Sequence, residues 1–248
     1  MPRLGSIDTE QHKVGNFTYS AAKIDDLGQI ASEFTLVCIV NDVSGSVVPY
    51  KDEMEQTLKA IAEACAYSPR KDFLLIRHIQ FDTQVNETHG FVNLDSRKPD
   101  DYIGCLQPGG MTALYDAARN AIVATGDYGQ KLMKQRFMTN AIVIIMTDAC
   151  DNASACDIND VRKAVEKARK DECLESLLVI LVGVGYGNDK YSHDQLDNFH
   201  KEAKFDQFVA ISDANAKTLA KLAQFVSKSI SSQSQSLGSG GSSKPLTF

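Results

Sequence analysis

The chain has 248 residues, a formal net charge of −6, 43% hydrophobic residues, six cysteines and no tryptophan. That apolar fraction supports a packed core and excludes a globally disordered chain. The acidic balance disfavours nucleic acid or an anionic membrane as the main partner, because phosphate recognition needs a clustered positive field. The longest apolar runs, near 36–40, 141–146 and 177–182, fall far short of the ~20 residues of a membrane-spanning helix. The first eight residues lack the apolar centre of a secretory signal. Six cysteines spread over this length are not a small disulfide scaffold. They read as free thiols in a reducing compartment, which predicts a cytoplasmic location.

Residues 1–31 carry short polar runs broken by Gly5, Gly15 and Gly28 and read as an N-terminal extension, which packing on the domain could order. Residues 34–40 (FTLVCIV) form a continuous apolar run, as in a strand buried on both faces. A polar Gly/Ser loop follows at 41–46. Met54, Leu58, Ile61 and Cys65 then share one face of a helix. Residues 73–81 (FLLIRHIQF) are the next strand, and Phe91 and Val92 mark a short edge strand beyond an 82–89 loop. A helix over 113–124 opens at Thr112 after Pro108, Gly109 and Gly110. Residues 141–147 (AIVIIMT) are a buried strand, and Val161, Val165 and Ala168 mark a helix over 158–171. Residues 177–184 (LLVILVGV) are another strand, followed by a short helix over 192–203 and a last strand at 206–211. Leu219, Leu222, Val226 and Ile230 mark the final helix. Strands alternating with helices predict one α/β domain over 32–230. Its architecture is a three-layer, doubly wound, mostly parallel sheet with helices on both faces and one short antiparallel edge strand. Residues 231–248 (SSQSQSLGSGGSSKPLTF) are dominated by Ser and Gly and predict a flexible tail, with its 244–248 tip a candidate docking peptide.

In such a sheet, ligands bind beyond the carboxyl ends of the strands. Three polar features fall there: Asp42-Val43-Ser44-Gly45-Ser46 after the first strand, Gly109-Gly110-Met111-Thr112 before a helix, and Thr147-Asp148 at the end of the 141–147 strand. Asp42, Ser44 and Ser46 can converge on one point if the loop turns at Gly45. Two carboxylates and three hydroxyls are hard oxygen ligands. They suit Mg²⁺ first, with Mn²⁺ or Ca²⁺ as alternatives, and leave the ion residual positive charge.

Taken together, these residues resemble the von Willebrand factor A (VWA) domain family. The Asp-x-Ser-x-Ser run with a distant Thr and a distant Asp is similar to that family's metal-ion-dependent adhesion site. The resemblance spans about 34–230, and the run GGMTALYDA at 109–117 is similar to intracellular bacterial and phage members. It implies a VWA/Rossmann-like fold. It also implies a divalent cation held by Asp42, Ser44, Ser46, Thr112 and Asp148, with Gly110, Asp116 and Asp151 around it. The implied function is non-catalytic docking of a partner protein's Asp or Glu, in a cytoplasmic multiprotein system of the stress-response or phage-defence kind. Asn41 stands where that family has an apolar residue, and Ala149 where it has Gly. The loops at 82–96, 106–112, 149–157 and 185–192 would form the rim.

Other readings stay open. The site residues could instead cap helices and turns. The chain could be an assembly subunit whose metal-independent contacts lie in 1–31 and 231–248, or a hydrolase or nuclease using Asp42 and Asp148. Hydrolysis on a metal needs an activated water and usually a base, and no His or Glu falls evidently at this edge. Cys150 and Cys156 have no zinc-ligand spacing. Gly183, Gly185 and Gly187 lack the Lys-Ser/Thr of a phosphate loop. Lys217, Lys221 and Lys228 read as a solvated helix face.

Overall fold

A computed structural model describes residues 8–27, 32–68, 70–93, 98–148, 150–185, 190–211 and 216–239. Eight strands form one sheet: β1 (Thr9–Val14), β2 (Phe17–Ala22), β3 (Glu33–Asp42), β4 (Leu74–Phe81), β5 (Val85–Val92), β6 (Met138–Thr147), β7 (Ser176–Val184) and β8 (Gln207–Ile211). Their order is β1-β2-β5-β4-β3-β6-β7-β8. The helices are the single turn α1 (Ile24–Leu27), then α2 (Lys51–Ala66), α3 (Leu114–Lys134), α4 (Ile158–Lys170), α5 (Lys190–Glu202) and α6 (Ala216–Ser239). Among the described residues, no helix is long and apolar enough to cross a membrane.

The continuous apolar runs become central strands because both of their faces are covered. In β3 every residue is buried. Leu36, Cys38 and Val40 face one apolar layer, and Val37 and Ile39 face the other. The first layer is closed by α3 (Leu114, Ala117, Ala121), α4 (Val161, Val165) and α5 (Leu196, Phe199). The second is closed by α2 (Met54, Leu58, Ile61, Cys65) and α6 (Leu222, Phe225, Val226, Ile230). The result is a mixed α/β fold of three layers, mostly parallel. Strands β4, β3, β6, β7 and β8 run parallel, and β5 is antiparallel to β4.

Three expectations change. The sheet does have an antiparallel edge, but it is β1 and not the short strand expected at 91–92. β5 covers eight residues, and β2 lies on its outer side, paired in parallel at Ala21 and Phe91, with β1 antiparallel beyond it. Residues 9–22 therefore belong to the sheet instead of standing outside it as an extension. Tyr19 and Ala21 are wholly buried and join the first apolar layer. The final helix does not end at 230 but runs to Ser239, so half of the expected flexible tail is helical. Residues 1–7 and the 244–248 tip lie outside the described residues. All six cysteines are free thiols.

Counted from β3, the order β5-β4-β3-β6-β7-β8 is first strand at the centre, second and third to one side, fourth to sixth to the other. The chain leaves β3 for one side and returns to the other at β6. A crevice therefore opens between the carboxyl ends of β3 and β6, where helical connections diverge to opposite faces.

Candidate functional site

Asp42 is the last residue of β3 and Thr147 the last of β6, each one step past the registered pair Asn41 and Met146. Thr147 Oγ1 donates to Asp42 Oδ2 at 2.5 Å. The chain then turns at once, and Ser44 N donates to Asp42 Oδ1 at 2.7 Å. Ser44 Oγ lies 3.1 Å from Ser46 Oγ, and Ser46 Oγ donates to Asp148 Oδ1 at 2.8 Å. Four of the five expected ligands thus form one hydrogen-bonded chain, Asp42–Ser44–Ser46–Asp148, across 106 sequence positions. Asp42 and Ser44 are buried, Asp148 is half-buried and Ser46 is exposed, so the chain runs from the sheet end to solvent.

The fifth, Thr112, arrives by backbone bonds. Gly109 N donates to Val43 O at 2.7 Å, and Gly45 N to Gly110 O at 3.2 Å, so the 109–112 loop rests on the Asp42 loop. Asn152 clamps Thr112: Thr112 N donates to Asn152 Oδ1 at 2.8 Å, and Thr112 O accepts from Asn152 N at 2.9 Å. No described hydrogen bond joins the Thr112 hydroxyl to the other four residues. Gly110 holds the tight approach with φ +74°, and a β-carbon there would sit 2.9 Å from Thr83 Oγ1 and 3.1 Å from Asp82 Oδ2.

Two residues expected around the ion face elsewhere. Asp116 accepts from Ala155 N and Cys156 N, bonds that outweigh burial and hold its carboxyl below the usual range. Asp151 accepts from Tyr115 N at 3.2 Å and from Ser154 Oγ at 2.5 Å. Both fasten the 151–156 loop to the first turn of α3, whose own preceding residue Ala113 offers no side-chain cap. Ala149 and residues 186–189 lie outside the described residues. Thr147 and Asn152 were not assigned roles from sequence. The hydroxyl-acid chemistry of Thr147 is visible only once β6 is placed beside β3.

The electrostatics are those of a site short of positive charge. Burial pushes the Asp42 carboxyl up to about 6, and Asp148 adds to the rise, while the Thr147 and Ser44 bonds oppose it. Burial also raises Asp148, against its bond from Ser46. Two acids whose ionised forms are penalised by burial, lined by hydroxyls, form a donor set that a hard cation would neutralise. Among the described residues, no group of three or more His, Cys, Asp or Glu side chains is placed to hold a metal. The set at this crevice has two acids and otherwise hydroxyls.

No family model and no curated protein matches the chain. Solved structures do. The pilus adhesin SpaC from Lactobacillus rhamnosus GG superposes with a TM-score of 0.58 at 11% identity, over 91% of this chain and 34% of that one. The PilB minor pilin from Streptococcus sanguinis gives 0.57 at 16% identity, over 81% and 62%. Proximal thread matrix protein 1 from the mussel byssus gives 0.54 at 18% identity, over 79% and 46%. The chain spans less than two thirds of the length of each. At these identities the likeness is one of fold.

Proposed function

We propose that the chain is a non-catalytic protein-docking module of the VWA type. In this reading Asp42, Ser44, Ser46, Thr112 and Asp148 hold a divalent cation, Mg²⁺ before Mn²⁺ or Ca²⁺, and the ion receives an Asp or Glu side chain from a partner protein. The observation that carries it is the hydrogen-bonded chain Asp42–Ser44–Ser46–Asp148 at the crevice between β3 and β6, with an acid buried at its inner end. A cation bound there would supply a Lewis-acidic point for an incoming carboxylate. The protein's own part is to hold the oxygens. Thr147 orients Asp42, Asn152 fixes the Thr112 backbone, and Gly110 lets the two loops touch. The described partners of the acids are hydroxyls and backbone N–H groups, with no His or Glu to activate a water, which favours docking over hydrolysis. The fold likeness to a pilus adhesin and a minor pilin is compatible with a binding role. The cytoplasmic setting rests on the cysteine usage and the resemblance, and the stress-response or phage-defence setting on the resemblance alone.

The test is calorimetric titration of Mg²⁺, Mn²⁺ and Ca²⁺ into the wild-type protein and Asp42→Ala, followed by partner capture in Mg²⁺ and in EDTA. The expected result is saturable binding that Asp42→Ala abolishes, and capture lost in EDTA. Capture that survives both EDTA and Asp42→Ala would instead support a metal-independent assembly role.

A further inference from the structure

The loops that frame the crevice present apolar side chains to solvent. Val48, two residues after Ser46 on the same 3₁₀ turn, is 59% exposed, and Met111, between Gly110 and Thr112, is 52% exposed. Neither serves the core. Val47 is the buried residue of its turn, and the 109–112 loop is held by backbone bonds through Gly109, Gly110 and Met111 N. The two loops touch at Gly45 N and Gly110 O, so both side chains stand within three residues of that contact. Residues 43–50 and 102–115 contain no charged residue, in a chain of net charge −6. Asp82, the acid behind Gly110, already accepts from Gln84 N.

We propose that Val48 and Met111 select the partner: the docked acid is a single Glu or Asp flanked by apolar residues in an uncharged segment. This rests on the docking reading above. Val48 and Met111 stand out on the two loops that meet at Gly45 and Gly110, so together they offer apolar surface on both sides of one contact. A rim that excludes water strengthens the interaction inside it, since an ion–carboxylate contact is screened far less in a dry surround. A flanking Lys or Arg would find no countercharge on either loop. A flanking Leu would cover Val48 and Met111.

The probes are two synthetic peptides, acetyl-Gly-Leu-Glu-Leu-Gly-amide and acetyl-Gly-Ser-Glu-Ser-Gly-amide. They are titrated calorimetrically into the Mg²⁺-loaded wild type and variant, and the ¹³C-methyl signal of Met111 is followed in the wild type to locate the contact. The Leu-flanked peptide is expected to bind about tenfold more tightly, the scale of covering one to two apolar side chains. That preference is expected to vanish in the Met111→Ser, Val48→Ser double variant, which keeps Mg²⁺ binding. Equal affinity of the two peptides for the wild type, or a preference that survives the double variant, overturns the proposal and leaves cation docking standing. Mg²⁺ binding with neither peptide bound overturns both acid docking and this selection. Absence of Mg²⁺ binding removes the underlying reading itself.

Discussion

Asp42 is wholly buried, and its hydrogen bonds from Thr147 and Ser44 only partly offset the loss of water. Its folded-state carboxyl sits at about 6, above the ordinary 3.8. The group therefore contributes stability below pH ~3.8 that is lost as pH rises to about 6, and at pH 7 its charge is a net cost. Asp42→Asn should raise the stability of metal-free protein at pH 7 by about 1–2 kcal/mol, once the weakened charge-assisted bonds are subtracted. Urea unfolding in EDTA measures it, and an unchanged or lower midpoint would show that the acid is well solvated. Stability given up at one residue is a signature of a site kept for binding. Gly110 belongs to the same scale. Gly110→Ala forces a β-carbon onto Thr83 and Asp82 at positive φ, and should cost about 1–2 kcal/mol. Thermal melts would reveal it. The five residues proposed to hold the cation were legible in sequence because they cluster at or just past a strand end or just ahead of a helix. Thr147 and Asn152 were not, because their partners lie 105 and 40 positions away and only the sheet brings them close.

At the scale of elements, the departures from expectation fall where hydrophobic patterning is weakest. β1 (TEQHKV) is mostly exposed and β2 (FTYSAA) is short, so neither presents a run that marks a strand. Beside the buried Tyr19 and Ala21, the hairpin docks through a polar network. Arg77, 1% exposed, donates to Glu87 at 2.6 Å and to Asn120 at 3.0 Å, and Glu87 accepts from Ser20 N at 2.8 Å. Gly90 lets β2 pass, since a β-carbon there would overlap the Ser20 backbone. α3 runs ten residues past the expected end at 124, to Lys134, through Gly126 and Gly129. Gly129 reads as a breaker, yet a β-carbon there would meet Leu174 at 2.5 Å, so close packing explains it. The Ser- and Gln-rich end of α6 is helical because it continues a helix already nucleated and packed. Arg77→Met strands the Glu87 charge and should destabilise the protein by about 3 kcal/mol. Hydrogen exchange should quicken first in β2. Uniform protection across the sheet in that variant would mean the ion pair does not hold the hairpin.

At the scale of the molecule, the alternation of buried strands and amphipathic helices was enough to anticipate a single mostly parallel sheet. The crevice between β3 and β6 follows from that order. Two whole-chain measurements test what this architecture stores. Beneath the crevice, His78 is wholly buried, bonded to Asn41 and packed near His89 and Tyr102. Burial, with the charge of His89 adding, pushes it down to about 3. Its stabilising contribution is full above pH ~6.5 and is lost as pH falls toward 3, opposite in sign to that of Asp42. His78→Gln should therefore flatten the acid limb of the stability profile between pH 6.5 and 4, read from melting midpoints in EDTA. The second measurement concerns the cation. A ligand that binds only the folded state at a hundredfold excess over its Kd adds about 2.7 kcal/mol. For a domain of this size that is a rise on the order of 5–10 °C in Tm. Mg²⁺ should produce that rise in the wild type at pH 7 and none in Asp42→Asn, even though the variant starts from the higher metal-free Tm. The two expected effects would share one cause: the buried charge that costs the metal-free protein stability is the charge a bound cation would neutralise. A variant that still responded to Mg²⁺ would place the ion elsewhere, and a wild type that did not respond would remove the cation from this crevice altogether.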